Sequence, residues 1–346
     1  MRKKFFLDAV MMEWEIPEGA EYRRKQIAEW VFKKRVDAFE KMSNLPVEWR
    51  KELASRYELR AIEFAKVQGK QTQKFLWKLS GGDFIESVLI PASPALYGEK
   101  SDRVTLCLST QVGCAYGCKF CASGLKGWKR NLLPAEIISQ IIEAERHSGK
   151  KINNLVFMGM GEPLANYENL MKAIEIINAP WGIGLGARHI TISTCGLAPQ
   201  IKKLADQPLQ LRLAISLHAA SDSIRNRIMP VNKKYPLTEL LNACRYYVSK
   251  KQKMITLEYI LIEDINDMPS EAVLLAQHAN KLRAKINLIP YNPVEGLPWK
   301  RPASSVIQNF AHTLKKHDAL VTLRTEKGSD IDAACGQLRL KEISLK

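Results

Sequence analysis

No apolar run in this sequence approaches the ~20 residues that a helix needs to cross a bilayer. A helical membrane protein is therefore excluded. The first residues, Met1-Arg-Lys-Lys-Phe-Phe-Leu-Asp8, begin like a secretory leader, but Asp8 and Glu13 interrupt the apolar stretch a leader requires. The expected location is the cytoplasm, with no membrane partner. Cysteine is scarce: seven residues, an odd number, three of them within one short stretch. That distribution excludes a disulfide framework of the secreted kind. Acidic residues are also in short supply, 36 against 52 basic ones, for a net charge of +16. A field of that sign favours a polyanionic partner, nucleic acid above all. With 46% apolar residues the chain is globular rather than disordered.

What is present centres on Cys114-Ala-Tyr-Gly-Cys118-Lys-Phe-Cys121. Thiolates are soft ligands, suited to iron–sulfur clusters or zinc. A structural zinc site closes with four protein ligands; three leave a metal position open for chemistry. A zinc knuckle completed by a histidine or by Cys107 is the competing reading, although no second close ligand pair follows.

Along the chain, residues 1–60 read as a basic, helical accessory lobe, with a helix over Glu21–Phe39 and another from Pro46 to Arg56. RNA docking is the natural use of such a lobe, and plain packing the bland one. Residues 61–102 read as a β-hairpin extension, with strands 74–80 and 84–90 about Gly81-Gly82, then a polar loop. Glu86 lies inside the second strand, where carboxylates are depleted. Residues 103–338 alternate strands (104–109, 152–158, 189–193, 211–217, 254–261, 285–289, 319–324) with helices (134–147, 167–178, 197–205, 236–250, 269–283, 304–317). This βα rhythm predicts an α/β fold with a parallel sheet, a partial (β/α)6 barrel, and a short tail at 339–346.

In such a barrel, functional groups belong at the C-terminal ends of strands. The cysteine loop, Gly159-Met-Gly161-Glu162, Ser193, Ser216-Leu217-His218 and Asn292 all fall there. Glycines 159 and 161 permit close backbone approach to a ligand. Glu162 suits an ammonium group, and Ser193, Ser216 and Asn292 suit a ribose or an aminoacyl group. His218 taken alone reads as a satisfied buried histidine. Trp128, between Lys126 and Lys129-Arg130, is a candidate for base stacking or a core aromatic.

The cysteine spacing resembles that of radical S-adenosylmethionine enzymes. Almost end to end, the chain resembles the radical S-adenosylmethionine RNA methyltransferases that act on adenosine, the dual-specificity 23S rRNA and tRNA carbon-2 enzymes. The likeness runs through Tyr22-Arg23, Asn44-Leu-Pro46, Gln111 to Ala122, Met158 to Leu164 and Ala214 to Ala219. It continues through Met229-Pro-Val-Asn232, Ile286 to Pro293 and Asp330 to Leu338. The resemblance implies a 4Fe–4S cluster on Cys114, Cys118 and Cys121, and S-adenosylmethionine held by Gly161, Glu162, Ser193, Ser216, Leu217, His218 and Asn292. It implies two S-adenosylmethionine molecules per turnover: one methylates Cys335, and the other yields the 5′-deoxyadenosyl radical that activates the S-methyl group. Glu86 then takes the ring proton, and Cys107 attacks the Cys335 sulfur to release product through a transient disulfide. The implied partners are 23S rRNA, tRNA and an electron donor such as flavodoxin, with the protein a monomer. Cys195 stands where the family commonly has another small residue and reads as a spectator or as an oxidation sensor, and Cys244, on a predicted helix, reads as core. Carbon-8 methylation of the same rRNA adenosine is the sister activity, and a non-catalytic metal-bearing RNA-binding protein is the alternative from another class.

Overall fold

Apolar strands separated by one-sided helices assemble here much as the sequence period predicts. The computed structural model describes residues 3–16, 21–92, 101–324 and 337–344. The chain divides into two units, the first comprising Met1–Val112, Arg130–Gly159 and Asn166–Ile190, and the second Gly113–Lys129, Met160–Ala165 and Thr191–Lys346. Among the described residues, no helix is long and apolar enough to cross a membrane.

In the first unit, β1 (Lys4–Phe5), α1 (Glu21–Ala28), α2 (Val47–Arg56) and β2 (Tyr57–Glu58) form the N-terminal part, with β1 and β2 paired in parallel. The helix expected over Glu21–Phe39 is shorter. Its α-helical part ends at Ala28, a π-helical turn follows over Glu29–Lys33, and Arg35 takes a left-handed conformation at φ 55°. The wider turn lets consecutive Val31 and Phe32 both face inward, and both are buried. Phe32 and Trp14 each lie 5.9 Å from Trp181, ring centre to ring centre. Pro46 caps α2 from outside its first turn.

β3 (Ile62–Gln68), β4 (Gln73–Leu79), β5 (Phe84–Pro91) and β6 (Val104–Cys107) run antiparallel in that order. The expected hairpin is thus present, with Gly82 at φ +80° in its turn and a further strand on its outer side. Then come β7 (Gln111–Gly113), β8 (Trp128–Asn131), α3 (Pro134–Ser148), β9 (Asn154–Phe157), which pairs parallel with β6, and α4 (Tyr167–Asn178). Pro134 opens α3, and its orphan amides are met by carboxylates. Asp8 Oδ1 accepts from Ala135 N–H at 2.9 Å, and Glu136 reaches back to Leu133 N–H at 2.9 Å. Arg35 grips Glu145 of the same helix at 2.6 and 3.0 Å.

The second unit carries five parallel strands in chain order: β10 (Ile190–Thr194), β11 (Arg212–Ser216), β12 (Thr256–Leu261), β13 (Lys285–Pro290) and β14 (Val321–Leu323). The helices are α5 (Ala198–Ala205), α6 (Asp222–Ile228), α7 (Leu237–Lys251), α8 (Pro269–Leu282), α9 (Ser304–Lys316) and α10 (Gln337–Ser344). Seven-residue α6 is too short to show a helical period in sequence. The expected tail after Leu338 is instead part of α10, with Leu338 buried.

One side chain of α3 ties the first unit's strands together. Gln140 accepts from Ser87 Oγ (2.8 Å) and Ser109 N–H (2.9 Å), and donates to Ser109 O (3.0 Å) and Glu136 O (3.2 Å). Trp77 Nε1 extends the chain by donating to Ser87 Oγ at 2.9 Å. All these side chains are buried, so truncating Gln140 strands their polar groups. Gln140→Ala is expected to lower the unfolding free energy by about 2–4 kcal/mol, measured by urea denaturation. A change below about 0.5 kcal/mol would show that the network carries no stability.

Candidate functional site

The cysteine loop belongs to the second unit and is folded by its glycines. Gly113 sits at φ +78°, and a Cβ there would lie 1.9 Å from Gly127 O, so no other residue fits. That approach lets Cys114 N–H reach Gly127 O at 3.3 Å. Gly117 at φ +59° turns the chain between the first two cysteines, and Cys121 N–H closes onto Cys118 O at 3.1 Å. The loop is pinned from outside by Lys119 N–H on Ile228 O (2.9 Å) and Trp299 Nε1 on Lys119 O (2.8 Å). Beneath it, Ala122, Ile262, Tyr291 and Val294 form an apolar floor, against which Phe120, Trp299 and Leu340 of α10 pack.

Burial pushes the Cys114 thiol up to about 12, with a further push from Cys121. Cys118 is raised further, by burial and then by Cys121 and Cys114. Three thiols on one loop that oppose one another's ionisation fit a cationic iron–sulfur centre, whose charge would offset thiolate crowding. Among the described residues, no three His, Cys, Asp or Glu side chains are gathered as a site for a single metal ion.

Glu162 lies buried beside this loop. Its carboxylate accepts Cys195 N–H at 2.7 Å and Leu164 N–H at 3.0 Å, while burial raises its affinity for a proton. The Cys195 thiol is pushed up by burial and by Glu162, so it is a poor nucleophile in this position. Cys244, on α7, is buried and raised to about 12 by burial. Ser193 and Ser216 stand on adjacent strands with their hydroxyls 3.3 Å apart. Leu217 is buried, and its N–H donates to Glu258 O at 3.0 Å. His218 takes a left-handed conformation, at φ 57°, and accepts Ile260 N–H at Nδ1 (3.1 Å). Burial, then the Arg225 charge, depresses it to about 3, so the imidazole is neutral. Phe120 meets it edge-on at 4.9 Å. Asn292 is half-buried just beyond β13, and Gly161, at φ +99°, precedes Glu162. The second unit thus brings together the three cysteines, Glu162, Ser193, Ser216 and His218.

Two side chains that the sequence did not single out organise this rim. Arg225 of α6 is fully buried and donates to Leu217 O (3.0 Å), Cys195 O (2.7 Å) and Asn232 Oδ1 (2.7 Å). Asn232 in turn donates to Asp222 Oδ1 at 2.7 Å. Asn266 donates to His218 O (2.7 Å) and Ile260 O (2.6 Å), and accepts Ile262 N–H (2.7 Å). Met229-Pro-Val-Asn232 was a visible motif, whereas nothing local marked Arg225 or Asn266.

Glu86 and Cys107 belong to the first unit. Cys107 ends β6 and is buried. Glu86 is buried on β5, and Lys74 Nζ lies 3.4 Å from its Oε2. Cys335 lies outside the described residues. Trp128 is exposed, which rules out a core role, whereas Arg130 is committed to Glu136 by two bonds of 2.7 Å.

Residues 108–275 match the radical SAM superfamily, and residues 11–59 match the ribosomal RNA large subunit methyltransferase N-terminal domain. The chain is 54% identical over 323 residues to a probable dual-specificity RNA methyltransferase RlmN of Akkermansia muciniphila, covering 93% of this chain and 90% of that one. It is 44% identical over 329 residues to the protein of the same name from Thermotoga maritima, covering 93% and 92%. Among solved structures it is similar to a radical SAM methyltransferase from Sphaerobacter thermophilus. That match has a TM-score of 0.90 at 38% identity, over 96% of this chain and 98% of that one.

The neutral His218 has a consequence for acid stability. Its folded value of about 3 lies below the unfolded 6.5, so below 6.5 the unfolded chain binds a proton that the folded chain refuses. Stability is lost as pH falls from 6.5 toward 3. Relative to His218→Gln, the wild type is expected to lose about 3 kcal/mol more between pH 7 and pH 4, by denaturant titration at each pH. Parallel pH profiles would show that His218 titrates normally.

Proposed function

We propose that this chain, which belongs to the RlmN-type radical SAM RNA methyltransferases, methylates carbon 2 of adenosine in 23S rRNA and tRNA through an S-methylcysteine on Cys335. The observation that carries the reading is that the chain has, besides a three-thiol loop, a separate set of buried groups with reactive side chains, Cys107 and Glu86. Simple displacement on a sulfonium cannot methylate an electrophilic aromatic carbon, so a second thiol system has a chemical purpose.

A 4Fe–4S cluster held by Cys114, Cys118 and Cys121 supplies, when bound, reductive cleavage of S-adenosylmethionine. In this reading the Cys335 thiol accepts a methyl group from one S-adenosylmethionine, and a second molecule is consumed in activating that methyl. Glu162, Ser193, Ser216, Leu217, His218, Gly161 and Asn292 hold the cofactor. The neutral imidazole and the paired hydroxyls favour uncharged hydrogen bonding to a ribose or adenine edge. Once the methyl carbon is bonded to adenine, Glu86 takes the ring proton. The Cys107 thiolate then attacks the Cys335 sulfur; the sulfur–carbon bond breaks, its electron pair leaves with the product carbon, which takes up a proton to become the methyl group, and a cytosolic reductant reopens the disulfide formed.

The helix α10 starts at Gln337, and its Leu340 packs against the apolar cluster that includes Ala122. Exposed Trp128, with Lys126 and Lys129 on either side, supports RNA contact by stacking. Flavodoxin fits as electron donor, and the protein acts as a monomer.

The test is an anaerobic assay of reconstituted protein with methyl-deuterated S-adenosylmethionine and separate rRNA-fragment and tRNA substrates. Deuterated 2-methyladenosine from both RNAs is the expected product by mass spectrometry. 8-Methyladenosine would move the chain to the sister activity, and no methylated adenosine from cluster-loaded protein would overturn the reading. Cys107→Ala is expected to stall as a covalent RNA–protein species visible on denaturing gels; normal release of methylated RNA would end the disulfide step. Cys118→Ala should lose iron and methylation together, judged by metal analysis alongside the assay.

A further inference from the structure

We infer that Lys74 is a positioning residue for Glu86, its buried ammonium being the counter-charge that keeps this side chain a carboxylate aimed along the sheet face that carries Cys107. The inference rests on the proposed role of Glu86 as the proton acceptor.

The two faces of the first unit's sheet are chemically distinct. Strand register places Lys74 opposite Val88, Leu76 opposite Glu86, and Val88 opposite Cys107. Because side chains alternate along a strand, Lys74, Leu76, Glu86, Val88 and Cys107 share one face. Phe75, Trp77 and Ser87 share the other, and there Ser87 meets Gln140 of α3. Glu86 is thus the diagonal neighbour of Cys107. Its own backbone is fixed, with Glu86 O accepting Ser109 Oγ at 2.6 Å.

Lys74 is 0% exposed and Glu86 2%, with Nζ 3.4 Å from Oε2. A charge so buried persists only when paired. Lysine in mid-strand ordinarily snorkels to water, as Lys78 does two positions beyond Leu76 on the same strand, where it is exposed. Lys74 instead keeps its whole stem inside. A structural ion pair gains little over an apolar pair of similar volume. A proton acceptor, by contrast, requires an ionised carboxylate at that spot before the substrate arrives, and an ammonium on the adjacent strand supplies it. The same contact restricts the carboxylate rotamer.

The experiment uses cluster-loaded holoenzyme in five forms: wild type, Lys74→Met, Lys74→Arg, Glu86→Gln and the Lys74→Met/Glu86→Gln double variant. Infrared difference spectra with 13C-glutamate labelling read the state of the buried carboxyl at neutral pH. Single-turnover assays read the fraction of enzyme stalled as covalent RNA adduct. The expected result is a protonated-carboxyl band in Lys74→Met that is absent from wild type and disappears in the double variant, which carries neither charge and serves as the folded control. Turnover of Lys74→Met should fall by about 10²-fold, the scale of lost general-base catalysis, with adduct accumulating. Lys74→Arg should retain most activity and show no such band. Wild-type turnover by Lys74→Met, or a stalled adduct without the band, would overturn the assignment to Lys74 while leaving Glu86 as base. Normal turnover by Glu86→Gln would overturn the base role itself, and the positioning role with it, whatever the band shows.

Discussion

A guanidinium sealed away from solvent must have every strong donor direction met, and in the second unit this demand on Arg225 fixes where several chain segments go. Its partners are carbonyls of Cys195 and Leu217, just beyond β10 and β11, together with the Asn232 amide oxygen. Each is a group that a strand end or loop would otherwise leave unpaired. The loops bearing Glu162's partner Cys195 and the left-handed His218 are thereby held to one cation. Its charge also reaches the imidazole, adding to burial in keeping it neutral. A single short helix, α6, therefore shapes the rim and adds to the burial that keeps His218 neutral.

The first unit solves a different problem with the same rule. Its sheet has a neutral polar face, where Ser87, Trp77 and Gln140 satisfy one another, and an ionic face, where Lys74 and Glu86 are paired beside Cys107. Separating them keeps the charged pair from competing with the amide network for donors. It also gives Glu86 a partner whose removal changes charge without touching the packing of α3.

The strands and most helices were legible because burial imprints a period on the sequence. Lys285–Pro290 and Pro269–Leu282 fall within one residue of their expected ends. The cysteine loop was legible because its three thiols are close together in sequence. Glu86 stood out as a carboxylate in a strand, although nothing nearby in sequence named its partner. Lys74, Gln140, Arg225 and Asn266 were not legible for one reason: each is a polar residue whose meaning lies in partners brought close by tertiary packing. Gln140 meets Ser87 from 53 positions away, and Asn266 meets His218 from 48. To a periodicity argument these residues look like solvated surface. Asp8 was read as breaking an apolar leader, and its carboxylate proves to serve the start of α3.

That last contact joins the amino-terminal segment to the chemistry by a short mechanical route. Asp8 anchors the first turn of α3, α3 carries Gln140, and Gln140 holds Ser109, whose hydroxyl fixes the backbone of Glu86. The N-terminal segment and the strand that carries Glu86 are thus joined through one run of side-chain hydrogen bonds, so a change at Asp8 has a physical path to Glu86.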